Sequence, residues 1–264
     1  MPDLMSLRSD AAAELGRFFK RFEPGADRDT LLSQFDTLTR HFHIIAVATL
    51  LVDGNSQGCF LNLCRAAENW RRLLALLRSR NLPPPPATKT LPLLAALAAG
   101  RFDLANTLAT APASPRIVPD EYEDEYLWAT LLRHFASQPP ATASTVAPLL
   151  TQLKGLNKKD YGPRCDLAQA MLDQDTDAFA SAFERARLDY ELHTEKKAAS
   201  FATPFTAFAP HRFLWLEGLA LLRLGERAGI VLADADYKYC PPLARVPMTA
   251  TYTGDWTIPN VAED

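Results

Sequence analysis

Apolar residues recur along this chain at helical spacing, segment after segment, with proline in the gaps. Leu31, Phe35, Leu38, Phe42, Ile45 and Thr49 step by 4, 3, 4, 3 and 4. Phe60, Leu63, Ala67, Trp70, Leu74 and Leu77 step by 3, 4, 3, 4 and 3. Each set lines one face of an α-helix. The first predicts a helix over 27–52, and the second predicts a seam over 56–80 against an antiparallel neighbour. Asp53-Gly54-Asn55 reads as the turn between them. An earlier helix over 4–22 is stopped by Pro24-Gly25.

Further on, two stretches look alike. Residues 93–109 and 167–186 each hold an alanine-rich helix, a polar break at Gly100 or Asp173–Asp175, and a second helix with Asp103 or Asp177 in its first turn. An acid there suits the helix dipole. Such pairs resemble the units of α-solenoids, but two copies do not make a regular array. Helices are also predicted over 121–138, 146–156 and 211–228, the last closed by Gly229. The tail after 230 has no helical period, and "MTATYTGDWTI" reads as a small hairpin around a Gly-Asp turn. The fold class expected is all-α: an irregular bundle or short solenoid of antiparallel helix pairs over 1–245, with an irregular or hairpin tail over 246–264.

Composition changes this picture little. The chain has 264 residues, 48% hydrophobic and 22% charged, as a folded globular protein does. Its net charge of −3 gives no basic footprint for nucleic acid. Cys59, Cys64, Cys165 and Cys240 form no C-x-x-C pair, so buried free thiols in a reducing compartment are expected rather than a zinc site. The opening residues lack the pattern of a signal peptide and no run of ~18 apolar residues occurs, so a cytoplasmic protein that does not cross a membrane is expected. There is no glycine-rich phosphate loop, G-x-S-x-G or H-E-x-x-H. His41 and His43 stand two apart on a helix and cannot share one metal. No cofactor, metal or catalytic residue is expected.

Some features invite a function. Glu217 interrupts an otherwise apolar stretch, so it must be paired or protonated; an arginine from another helix is the structural answer. Gly218 and Gly225 share a face and leave a flat strip for close packing, which makes this segment a central core helix. Pro83–Pro86 is a stiff spacer. Arg65, Arg71, Arg72, Arg78 and Arg80 lie mostly off the 56–80 seam and read as a solvated face. Asp120, Glu121, Tyr122, Glu123, Asp124 and Glu125 form the densest acidic stretch. It reads either as an acidic helix start or as a patch that docks on a basic protein, with tyrosine suited to a half-dry interface. In the docking reading, reversing Glu121, Glu123 and Glu125 slows association at low salt.

The stretches "LPLLAALAAGRFDLANTLA", "LAQAMLDQDTDAFASAFERA" and "RFLWLEGLALLRLGERAGI", followed by "YKYCPPL", resemble the immunity protein 49 family of bacterial polymorphic toxin systems. The resemblance runs over about 60–243. It implies an all-α antitoxin with no reaction of its own, which binds a cognate toxin domain and occludes it. Two other readings stand beside it: a helical-repeat scaffold with no toxin partner, and an enzyme using Glu217 as its acid or base.

Overall fold

The computed structural model describes residues 3–119, 121–139, 142–156, 161–199, 205–232 and 236–259. Among these residues there are eleven α-helices and no strand. In chain order they are α1 Leu4–Arg21, α2 Arg28–Asp53, α3 Ser56–Ser79, α4 Leu91–Ala98, α5 Phe102–Thr110 and α6 Glu123–Ala136. α7 Ala143–Gly155, α8 Gly162–Asp173, α9 Thr176–Ala198, α10 Phe205–Phe213 and α11 Leu216–Arg227 follow. The all-α class is as the periodicity predicts.

Local chemistry sets the helix starts. Asp3, Asp27, Asn55 and Asp175 each accept a hydrogen bond from the backbone N–H three residues on, at 2.7–2.9 Å. Each satisfies a donor that the helix itself leaves orphaned. Gly54 ends α2 at φ +64, a left-handed turn that glycine adopts without strain, and so folds α3 back on α2. Along α2 the buried line drifts. Leu31, Phe35, Leu38 and Phe42 are buried, but then Ala46 and Leu50 take over from Ile45 and Thr49. A straight helix of 3.6 residues per turn cannot keep a 3.5-residue stripe facing one neighbour.

Consecutive helices pack on one another from α1 through α9, as in a solenoid. The chain then closes on itself, because α10 packs on α2 and α11 packs on α4. This makes a bundle with one continuous core reaching from Leu15 to Ile258. Both α4 and α11 lie deep in it. Every residue of α4 from Pro92 to Ala98 is buried, so this short helix has no solvent face. Its alanines let α3, α5 and α11 approach together.

Several expectations change. The helix predicted over 211–228 is broken: α10 ends at Phe213, Trp215 is extended, and α11 begins at Leu216. The Trp215 N–H donates to the carbonyl of Tyr239 at 2.9 Å instead of to a preceding turn. The arginines of α3 do not form a solvated face. Arg65 pairs with Asp255 at 2.5 Å, Arg72 donates to the carbonyl of Ile258, and Arg80 donates to the carbonyls of Pro24 and Ala26 at 2.7 and 2.6 Å. Only Arg78 of the five is exposed. Of the two expectations for the tail, its described residues take the irregular one and not the hairpin: the Thr257 hydroxyl donates to the Gly254 carbonyl at 2.8 Å, and the segment lies across α3, where Asn69 donates to the Trp256 carbonyl. The polyproline run is a pinned connector, with Arg28 donating to the carbonyls of Pro83 and Pro84 at 3.0 and 2.8 Å.

Gly218 and Gly225 do mark close approaches, but to rings as well as helices. A Cβ on Gly218 would lie 2.2 Å from the Trp215 ring and 2.9 Å from Cys240 Sγ, and one on Gly225 would lie 2.8 Å from the Phe179 ring. Gly218→Ala is expected to lower stability by about 1–3 kcal/mol through overpacking. Gly16→Ala, with nothing within 4 Å, is expected to raise it by about 0.5–1 kcal/mol. Urea denaturation midpoints decide both.

His43 is buried in α2, and among the described residues neither of its ring nitrogens has a hydrogen-bond partner. Burial, with a small push from His211, lowers its pKa from 6.5 to about 3. The folded state therefore holds it neutral while the unfolded chain protonates it below 6.5. Above that pH both states hold it neutral and no ionisation penalty applies, and stability is lost as pH falls from 6.5 toward 3. In His43→Leu, the fall in unfolding free energy between pH 6.5 and 5 should be shallower by close to one proton's worth. An unchanged slope would mean that His43 finds a partner in solution.

Candidate functional site

Glu217 stands in the first turn of α11, where its charge suits the helix dipole. The break at Trp215 creates that helix start. One oxygen, Oε1, accepts from the Trp128 indole N–H of α6 at 2.7 Å and from Arg164 Nε at 2.9 Å. The other, Oε2, accepts from an Arg164 terminal nitrogen at 2.8 Å. This is a two-pronged guanidinium–carboxylate pair. Arg164 lies in the first turn of α8, and its guanidinium sits over the rings of Trp128 and Tyr161.

Burial by itself raises the Glu217 carboxyl pKa. The Arg164 charge and hydrogen bond, with the Trp128 hydrogen bond, outweigh burial and leave the carboxyl below its ordinary value. The Trp215 indole lies near enough to add to this, although its N–H closes no hydrogen bond of ordinary geometry. The group is thus a fixed anion.

This ion pair forms the floor of a cleft bounded by α6, α8, α9 and α10. Two adjoining recesses, of about 620 and about 510 Å3, share Arg164, Glu217, Tyr161 and Tyr190. Asp189, His193 and Lys197 of α9, His211 of α10, and Asp124 and Glu125 of α6 line the larger recess. Burial and then Lys197 lower the His211 pKa, so His211 is neutral at neutral pH. Behind the floor, Trp215 stacks on Tyr190 at 5.1 Å and tilts against Phe183 at 5.3 Å, which holds the α10–α11 junction rigid.

The acidic stretch divides when it is placed on this frame. Asp120 lies outside the described residues. Glu121 is 3% exposed and faces inward. It accepts from the Thr88 hydroxyl at 2.7 Å, the Thr88 N–H at 3.2 Å and the Ile117 N–H at 2.9 Å. It ties the polyproline connector to the start of α6 and offers nothing to a partner. Glu123 pairs with Arg116 at 3.2 Å and accepts from Gln152 at 3.1 Å. Tyr122 is 69% exposed. Asp124 and Glu125 stand on the rim of the cleft. Sequence reading found Glu217 and the rim acids, but it did not single out Arg164, Trp128, Tyr161 or Trp215. Nothing local distinguishes Arg164 from the other arginines; only the fold brings it to α11.

The cysteines are all buried and unpaired. Burial raises the Cys59 and Cys64 thiols to about 12, so they are protonated and unreactive at neutral pH. Among the described residues no three His, Cys, Asp or Glu side chains are grouped to hold a metal, and no helix is long and apolar enough to cross a membrane. No family model, curated protein or solved structure matches the chain.

Glu217→Gln is expected to cost roughly 3 kcal/mol, because it removes the carboxylate that makes a two-pronged pair with the part-buried Arg164. Arg164→Met combined with Glu217→Leu should recover most of that loss. Because the carboxyl pKa is lowered on folding, its contribution is complete above about 4.5 and fades as pH falls below that. The single variant should therefore lose part of the wild-type acid sensitivity below 4.5. Urea unfolding at pH 7 and pH 4 reads both effects.

Proposed function

We propose that this chain is an immunity protein that neutralises a cognate toxin domain of a bacterial polymorphic toxin system by binding and occluding it. It carries out no reaction, acts in the cytoplasm of the cell that it protects, and needs no cofactor. The resemblance of its helical stretches to the immunity protein 49 family supports this reading. The observation that carries it is the acidic rim. Asp124 and Glu125 flank the cleft beside exposed Tyr122, on a helix start that Glu121 and Glu123 hold in place.

An interface of this kind gains on-rate from long-range charge and affinity from a buried aromatic anchor. Tyr122 supplies the ring, the rim supplies the charge, and the partner is a basic protein surface. The cleft adds support, since its carboxylate floor is engaged in a two-pronged ion pair with Arg164.

The reading is tested by co-expression with the product of the neighbouring gene, scored by growth rescue and co-purification. Rescue with a stable complex supports it. A toxic neighbour without rescue, or no toxic neighbour, moves the scaffold reading to first place. Within a complex, Asp124→Lys with Glu125→Lys should slow association by about tenfold or more at low salt and far less at high salt, as measured by stopped-flow. Glu121→Lys should act on stability instead of on rate.

A further inference from the structure

The two recesses above the Arg164–Glu217 pair differ in character. The inner one, of about 510 Å3, is walled by Leu91, Leu94, Leu132 and Leu216 with the rings of Trp128 and Trp215. The outer one, of about 620 Å3, adds Asp124, Asp189 and His193. Cavities of about 300–1,000 Å3 with an apolar base and a few convergent polar groups are typical of small-molecule sites.

Polar groups are left over where the recesses join. Of the residues that line both, Arg164 and Glu217 hold each other, and the Tyr190 hydroxyl donates to the His211 carbonyl. The side chains of Glu125 and Lys197, the Tyr161 hydroxyl and the His211 ring make no hydrogen bond or ion pair with the described residues. The same is true of the Asp124 and Asp189 carboxylates in the outer recess, whereas the His193 ring is tied to the Asp189 carbonyl at 2.8 Å. Elsewhere the half-buried charges are matched: Glu68 pairs with Arg71 and Arg72, and Arg187 pairs with Glu184 and Glu191. Asp124, Tyr161, Asp189 and His211 are half-buried too. A partly buried polar group without a partner costs free energy that a bound molecule can recover.

We propose that this cleft binds a free aromatic α-amino acid. Its ring enters the inner recess, where Trp128 and Trp215 offer aromatic partners. Its ammonium, with three N–H donors, meets the acids Asp124, Glu125 and Asp189. Its carboxylate meets Lys197, with the His211 ring and the Tyr161 hydroxyl as further donors. A ligand that carries both charges accounts for an acid and a lysine that face one cleft without pairing. The Arg164–Glu217 pair has no net charge and stays as the floor. The site shares Glu125 with the acidic rim, but it does not rest on the immunity reading and is tested on the chain alone.

The probe is L-phenylalanine, titrated into the full chain by calorimetry. Saturable one-to-one binding with a Kd below about 1 mM is expected. Phenethylamine, which lacks the carboxylate, and 3-phenylpropionate, which lacks the ammonium, should each bind at least about tenfold more weakly. Glu125 and Lys197 are exposed, so substituting either spares the core. Lys197→Ala should remove most of the difference between phenylalanine and phenethylamine, and Glu125→Gln should remove most of that between phenylalanine and 3-phenylpropionate. The inference is overturned if phenylalanine gives no saturable heat up to about 10 mM, or if both variants bind all three compounds as the wild type does. N-acetyl-phenylalaninamide has the ring and neither charge, and so stands for an internal residue of a partner chain. If it binds as tightly as phenylalanine, the cleft is a pocket for a partner's side chain and the free amino acid is ruled out. Should a variant not fold, the ranking of the four compounds on the unmodified chain decides.

Discussion

A carboxylate at the start of a nearly all-apolar helix must be answered, and the answer organises this molecule. Glu217 cannot be left bare in the core, and Arg164 and Trp128 answer it from two other helices. That one junction fixes α11 against α8 and α6. It also depends on the break before α11. Were the helix continuous from α10, Glu217 would sit in mid-helix, away from the orphan N–H groups that favour its charge. The break is stabilised in turn by the Tyr239 carbonyl and by the stack of Trp215 on Tyr190. The non-helical segment after α11 is therefore part of the core machinery: Tyr239, Cys240 and Ala244 are all buried.

The same junction converts a solenoid-like run of helices into a closed bundle. Nearest-neighbour packing alone would leave α4 with an open apolar flank. Docking α11 there removes it, and α4 can then be apolar on every side. Small residues make this approach close. Alanine fills much of α4, and Gly218 and Gly225 let rings settle directly on the α11 backbone.

Side chains that grip main-chain carbonyls appear again and again. Arg28 holds the polyproline run, Arg80 holds the α1–α2 loop, Arg227 holds the end of α6, and Gln57, Asn69 and Arg72 hold the tail. Irregular segments carry backbone groups that no ladder satisfies, and a planar guanidinium or amide can satisfy two of them at once. In a chain with 20 prolines, this is how the connectors acquire definite paths.

Most of the helices were legible, although not the break before Leu216. The 3–4 spacing of Phe60, Leu63, Ala67, Trp70, Leu74 and Leu77 and the turn at Gly54 are local signals, and local physics reads them. Glu217 was legible as a charge in need of a partner, because burial of an unpaired carboxylate is forbidden anywhere. The identity of that partner was not, since Arg164 comes from a helix fifty-three residues away and looks like any other arginine. Nor could the sequence separate Glu121, buried on Thr88, from Glu125 on the rim: both are acids at one helix start, and only the connector packed beside them differs. The arginines of α3 read as solvated because a polar stripe looks the same whether water or a tail covers it. Periodicity determined which residues face inward along each helix. Only the tertiary structure decided what meets the outward faces, because that depends on contacts between segments far apart in the chain.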